Sequence, residues 1–227
     1  MRFVLPIIVL LLLAGGAVYA GLYFGGFGND KNGAVVFIDA YSIYGETATQ
    51  VEQLVHQPST VQNGSRTELN ALLETILTED VTAQRRDTLA RLAFKHLAVL
   101  RDEVDEAQSA QAQLYEHLQR MDDALAQIDG GQMRAQGQEI VVAARKRAEL
   151  AARITSVLSE TNDQTENIIT RILGDGGNLT DEHIVAINES TEKAEGRHAT
   201  LTRLYDEIAE QQKQIERMFT LFVDSAL

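Results

Sequence analysis

Three stretches of this chain place residues at alternating spacings of three and four, and only short glycine-bearing gaps separate them. The first runs through Ala90, Ala93, Leu97, Leu100, Val104, Ala107, Gln111, Leu114, Leu118, Met121, Leu125 and Ile128. The second runs through Met133, Gly137, Ile140, Ala144, Arg147, Ala151, Ile154, Leu158, Thr161, Thr165, Ile168 and Ile172. The third runs through Ile184, Ile187, Thr191, Ala194, His198, Leu201, Tyr205, Ile208, Gln212, Ile215, Phe219 and Phe222. A sustained alternation of three and four draws one seam along one side of a helix, whereas a strand needs a period of two. The gaps, Asp129-Gly130-Gly131 and Gly174 to Asn178, contain glycines that reach the left-handed conformation at which helices end. Turns this short make neighbouring helices antiparallel. At about 1.5 Å per residue, such helices are roughly 60–75 Å long. The pattern predicts an all-α, elongated, antiparallel three-helix coiled coil, with helices over about 65–128, 132–173 and 180–226.

Composition narrows the function classes. Two prolines and no tryptophan suit long helices. The absence of cysteine removes any disulfide framework, thiolate metal site or thiol nucleophile. A net charge of −13 opposes binding to nucleic acid or to an anionic leaflet, and keeps the chain soluble.

The amino-terminal segment sets an expected location. After Met1 and Arg2, the run from Phe3 to Gly28 carries no charge, and Asn29, Asp30 and Lys31 end it. About 20 apolar residues span a bilayer core. Arg2 favours a cytoplasmic amino terminus, with the bulk of the chain periplasmic or extracellular. A competing reading is a signal peptide cleaved after Ala20, since Val18-Tyr19-Ala20 suits signal peptidase. The apolar run continues through Leu22, Tyr23, Phe24 and Phe27, which favours an uncleaved anchor. Ala17, Gly21 and Gly25 are spaced by four, the pattern that lets membrane helices approach closely.

Residues 29–64 read as a linker with a strand-like piece, Ala34 to Ile38, and a short helix over about 42–57 ended by Pro58. Ser65-Arg66-Thr67-Glu68 reads as a capping box that starts the first long helix, and Thr78-Glu79-Asp80 either caps a new helix or is read straight through.

The candidate site residues are those that break or end the apolar pattern. Gln111, Arg147, His198, Tyr205 and Gln212 occupy seam positions, and buried polar seam residues fix register at a cost in stability. The two turns place Gln111, Arg147 and Tyr205 in one polar layer. Val35, Val36, Phe37, Ile38, Phe219 and Phe222 are candidate partner contacts. A di-iron bundle needs two Glu-x-x-His pairs, and only Glu195 and His198 have that spacing. No metal, cofactor, small-molecule substrate or catalytic residue is therefore expected. The run Asp102, Glu103, Asp105, Glu106 reads as a solvated face, and Arg145, Lys146 and Arg147 as partners for acids on a neighbouring helix. The sequons at Asn63, Asn178 and Asn188 are weak signals.

An apolar leader, a strand-like piece and a long helical hairpin resemble Skp-type periplasmic chaperones, although those are basic and shorter. The leader with three long helices also resembles the helical pilus-associated subunits of type IV secretion systems. Neither resemblance carries a site residue across. The expected role is that of a structural, tethering or assembly subunit of an envelope complex, not an enzyme. A protein partner or homo-oligomer follows from that role. The alternatives are a periplasmic or secreted helical subunit or chaperone, and an extracytoplasmic sensing bundle.

Overall fold

The computed structural model describes residues 29–56, 60–77 and 81–226. These are all-helical: α1 (Asn29–His56), α2 (Thr60–Ile76), α3 (Ala83–Leu125), α4 (Gly131–Gly174) and α5 (Asp181–Ala226), with no strand among the described residues. No helix among them is long and apolar enough to cross a membrane. The expected anchor, with Ala17, Gly21 and Gly25, lies outside the described residues.

Two expectations are corrected. Residues 34–38 form part of a 28-residue helix, not a strand. Their β-branched composition is local, whereas Ala34, Phe37, Tyr41, Tyr44, Ala48, Val51 and Val55 repeat the same three-four spacing as the other seams. All but Tyr41 are buried, while Val36, off that stripe, is 44% exposed. α1 therefore packs as a fourth helix beside the three that were expected. Second, the helix expected over 65–128 is two helices, α2 and α3. α2 starts at Thr60, so Ser65 lies inside it and is buried instead of capping it. Thr82 caps α3, its hydroxyl accepting from Arg85 N–H at 3.4 Å.

The chain divides into two compact units. Unit 1 comprises the described parts of Met1–Thr47, Gln113–Lys146 and Gln211–Leu227, and unit 2 comprises Ala48–Ala112 and Arg147–Glu210. In unit 1, α1, α3, α4 and α5 share an aromatic and aliphatic core. Phe37 meets Phe222 with centroids 4.9 Å apart, and Tyr41 stacks on Phe219 at 4.0 Å. The Tyr44 hydroxyl donates to Ala144 C=O at 2.8 Å, which satisfies a buried polar tip. The start of α1 lies against the backbone of the α3–α4 turn. A Cβ on Gly33 would sit 2.6 Å from Gln127 C=O, so only glycine fits there. The Arg134 guanidinium donates to Ile128 C=O at 2.7 Å and Ala126 C=O at 3.3 Å, covering carbonyls left open at the end of α3.

Unit 2 holds two clusters. Val51 and Val55 of α1 pack with Ala107, Ala110, Leu150, Ala151, Ile154, Leu204 and Ile208. Leu69, Leu72 and Ile76 of α2 pack on Ala90, Ala93, Leu97, Leu100, Ile169 and Ile172. The α4–α5 turn closes this unit. Gly177 N–H donates to Ile172 C=O at 2.9 Å and Gly176 N–H to Leu173 C=O at 3.1 Å, with Gly176 at φ 61° and Gly177 at φ 83°. This is the paired hydrogen bonding of a left-handed helix stop. Buried Arg86 donates to Ile76 C=O at 2.8 Å and Gly177 C=O at 3.0 Å, joining the end of α2 and the α4–α5 turn to α3.

The environments of two glycines give opposite expectations for the same substitution. A Cβ on Gly177 would meet Ala83 C=O at 2.0 Å, whereas one on Gly45 meets nothing within 4 Å. Gly45→Ala should stabilise by up to about 1 kcal/mol, the ordinary helix-interior gain. Gly177→Ala should destabilise by about 2 kcal/mol or more, combining left-handed strain with displacement of the Ala83 carbonyl. Urea denaturation of both variants checks the pair, and a neutral Gly177→Ala would contradict the tight turn.

Candidate functional site: the polar interior of unit 2

Unit 2 brings together polar groups from all five helices. Arg147 of α4, nearly fully buried, donates through Nε and Nη2 to the same Oε1 of Glu52, at 2.7 and 2.6 Å. The charge is paired and its partner keeps partial contact with water, which spares the full cost of an isolated interior ion. Gln111 Nε2 donates to Thr155 Oγ1 at 2.5 Å, and that hydroxyl donates to Ala151 C=O at 3.1 Å. The Tyr205 hydroxyl donates to Val55 C=O at 2.8 Å, one of the last-turn carbonyls of α1 that have no partner within the helix.

Glu103 is the least settled of these groups. It is 5% exposed, its Oε2 lies 4.0 Å from Arg66 Nη2, and its Oε1 has no hydrogen-bond partner among the described residues. Burial pushes its carboxyl above the usual range, Arg66 draws it down and Glu106 pushes it up. Tyr205 responds to the same cluster: burial raises its phenol, Arg66 lowers it and Glu103 raises it. Arg66, Glu103 and Tyr205 thus form one electrostatic group drawn from α2, α3 and α5.

The surface of this unit is also tied across helices. Arg101 bridges Asp163, at 2.5 Å, and Glu166, and Arg197 bonds Gln164. A cleft of about 380 Å³ between α3 and α4 is lined by Arg101, Asp102, Asp105, Ser159, Asn162 and Asp163. No group of three metal-binding side chains occurs among the described residues. His183, which starts α5, is engaged in capping: its Nδ1 accepts from Thr180 N–H at 3.2 Å and its Nε2 lies 3.1 Å from Asp175.

Of the polar seam residues expected from sequence, Gln111, Arg147 and Tyr205 enter the interior of unit 2, each with its own partner instead of one another. His198 is exposed. Gln212, in unit 1, is half-buried and donates to Glu216 at 2.6 Å, while its neighbour Gln211 takes the buried position. The candidate contacts Phe37, Ile38, Phe219 and Phe222 are core residues of unit 1; Val35 is half-buried and Val36 exposed. Sequence reading missed Glu103, Arg66, Glu52, Thr155 and Arg86. Glu103 sits three residues after Leu100 and four before Ala107, a spacing that marks the inner face of α3, yet its neighbours made the run look solvated.

The raised Glu103 carboxyl fixes the sign of a pH effect. The folded state holds this proton more tightly than the unfolded chain, so its contribution to stability is complete at pH below the ordinary carboxyl range. It is lost as pH rises through the folded-state value. Glu103→Gln mimics the protonated form. At pH 7 it should stabilise the protein by about 1 kcal/mol, the order of a relieved buried unsatisfied group. The gap between variant and parent should close toward pH 4. Melting temperatures of both proteins from pH 4 to 8 test this, and a gap independent of pH would contradict it.

Compared with protein-family models, curated proteins and solved structures, the chain finds no match.

Proposed function

We propose that this chain is a membrane-tethered, extracytoplasmic subunit that acts through protein–protein contacts as a structural, tethering or assembly element of an envelope complex. In this reading α3, α4 and α5 form the antiparallel coiled-coil body and α1 joins them. The observation that carries it is the junction at residue 29. The uncharged run Phe3 to Gly28 ends at Asn29, and Gly33, in the first turns of the described part of α1, is already packed against the α3–α4 turn. A spanning segment would then enter the folded body with almost no flexible linker. That coupling suits a part that holds position better than one that swings on a leash. The seams are filled with apolar side chains and the interior polar groups are mostly paired with one another, which suits a scaffold and no chemical step.

A second reading, an extracytoplasmic sensing bundle, is favoured by one observation. Glu103 and Arg66 sit beside Tyr205, whose hydroxyl holds the last turn of α1, the helix that follows the apolar run. A change in charge at Glu103 would be felt at that contact. Capture of unfolded clients, as a chaperone would require, gains support only if the chain is released from the membrane.

Fractionation with intact-mass measurement tests the tether. The expected result is a species of 25.0 kDa in the membrane fraction. A soluble species lighter by about two kilodaltons would mean cleavage after Ala20 and would overturn the tethered reading in favour of a released subunit or chaperone. An assembly subunit should also purify with a stoichiometric partner or as a defined oligomer.

A further inference from the structure

The outer face of α4 in unit 1 carries a short pattern that the fold itself does not use. Val142, in the first third of the helix, is 56% exposed. Glu139 lies three residues before it and Lys146 four after, so all three share one stripe. Both charged residues are exposed, and no hydrogen bond or ion pair engages either among the described residues. The neighbouring cation differs: Arg145 is held by Asp122 at 2.7 Å. All three stripe residues line an open groove of about 340 Å³, together with Ala143 and with Gln211, Gln214 and Met218 of α5. The apolar side of α5 continues outward to Leu221, 61% exposed.

A charge on each side of an apolar centre, opposite in sign and nearly equidistant, is self-complementary under one arrangement only. Two such stripes laid antiparallel about a two-fold axis near Val142 bring each Glu139 to a Lys146 and each Val142 to its twin. Laid parallel, they oppose Glu139 with Glu139 and Lys146 with Lys146. An isologous contact of this kind closes on itself as a dimer. Another exposed apolar pair, Ile184 and Val185 at the start of α5, lacks this property. Its flanks are Asp181, Glu182 and Glu189, so self-pairing there would set like charges together.

We propose that the Val142 face of α4 is a self-association surface, on which a second copy of the chain packs antiparallel with Glu139 and Lys146 in reciprocal ion pairs across the axis. This deepens the assembly reading, on which it rests, by naming a second copy of the chain as one partner.

The absence of cysteine makes the test clean. The full-length chain carrying Val142→Cys is exposed to mild oxidation and resolved by mass. Val36→Cys, an exposed position on α1 of the same unit, serves as the control. The expected result is a disulfide-linked dimer for V142C and little or none for V36C. Adding K146E should weaken self-association, read by sedimentation and by cross-link yield, at least about tenfold, because both ion pairs become repulsions. Adding E139K as well swaps both signs and should restore the dimer, while melting temperatures stay close to that of V142C. Cross-linking of V142C no greater than that of V36C would overturn the proposal, as would a double reversal that fails to restore it. The assembly reading is scored separately, by stoichiometric co-purification: a complex with a different protein and no V142C dimer would sink the self-pairing alone.

Discussion

In unit 2, α3 and α4 are the pair that enters both apolar clusters, and the other helices pack on them. Their facing seams are rich in alanine: Ala90, Ala93, Ala107 and Ala110 on one helix, Ala144, Ala148 and Ala151 on the other, all buried. Small side chains let two helices come near enough for dense contact along their length, and they cost little side-chain entropy on burial. Alanine alone specifies register poorly, because one methyl packs much like another. In unit 2, polar cross-links supply that specificity. Gln111 to Thr155, Asn162 to Leu100 C=O, and Arg101 to Asp163 and Glu166 all join the same pair of helices in one antiparallel alignment. Sliding either helix by a turn would break all three and leave the buried Gln111 side chain without its partner.

Beyond their apolar packing, the other helices are tied to that pair or to one another through backbone carbonyls. Tyr44 holds Ala144 C=O, Tyr205 holds Val55 C=O, and Arg86 holds the carbonyls of Ile76 and Gly177. A helix end or turn placed against neighbours must find partners for its free carbonyls, and long side chains from an adjacent helix are an efficient source. Glu103 is the exception. Among the described residues its carboxylate has Arg66 at 4.0 Å and one oxygen without a hydrogen bond, whereas Arg147, Gln111 and Tyr205 of the same unit each have a close partner. An apolar residue there would be simpler for folding, so a carboxyl retained at a cost is the feature of unit 2 that stability alone does not account for.

The sequence was legible where a period ran long. The expected bounds of the second and third long helices, 132–173 and 180–226, lie within one residue of α4 and α5. Twelve seam positions outweigh any single propensity. It was less legible where composition and period disagreed. The run Val35-Val36-Phe37-Ile38 has strand composition over a few residues, while the seam from Ala34 to Val55 becomes visible only when read across Gly45. The same holds for the polar interior. Gln111, Arg147 and Tyr205 stood out because each interrupts an apolar stripe. Their partners Glu52, Thr155 and Val55 C=O did not, since nothing in the chain's own pattern says which polar group lies opposite. Pairing across helices depends on the rotation of each helix about its axis, which shifts by about 100° per residue. A one-residue difference of this kind separates Gln212 from Gln211 and the solvated run from buried Glu103.

The charge pattern on α4 and the junction at residue 29 constrain each other. Within unit 1, the start of α1 lies beside the α3–α4 turn, and the stripe of Glu139, Val142 and Lys146 follows two to four turns along α4. An antiparallel pair about Val142 sends the two α1 amino termini in opposite directions. If each were continuous with a spanning segment, the two copies would not stand side by side and upright in one flat bilayer. They would lie along it, or reach toward each other from facing membranes. A parallel pair would avoid this, but it sets Glu139 against Glu139 and Lys146 against Lys146. The arrangement favoured by side-chain charge therefore turns a local feature of one helix into a statement about what the tether connects. If the proposed tether and the proposed self-pairing both hold, the chain would join its copy end to end more readily than it would gather copies into an upright cluster.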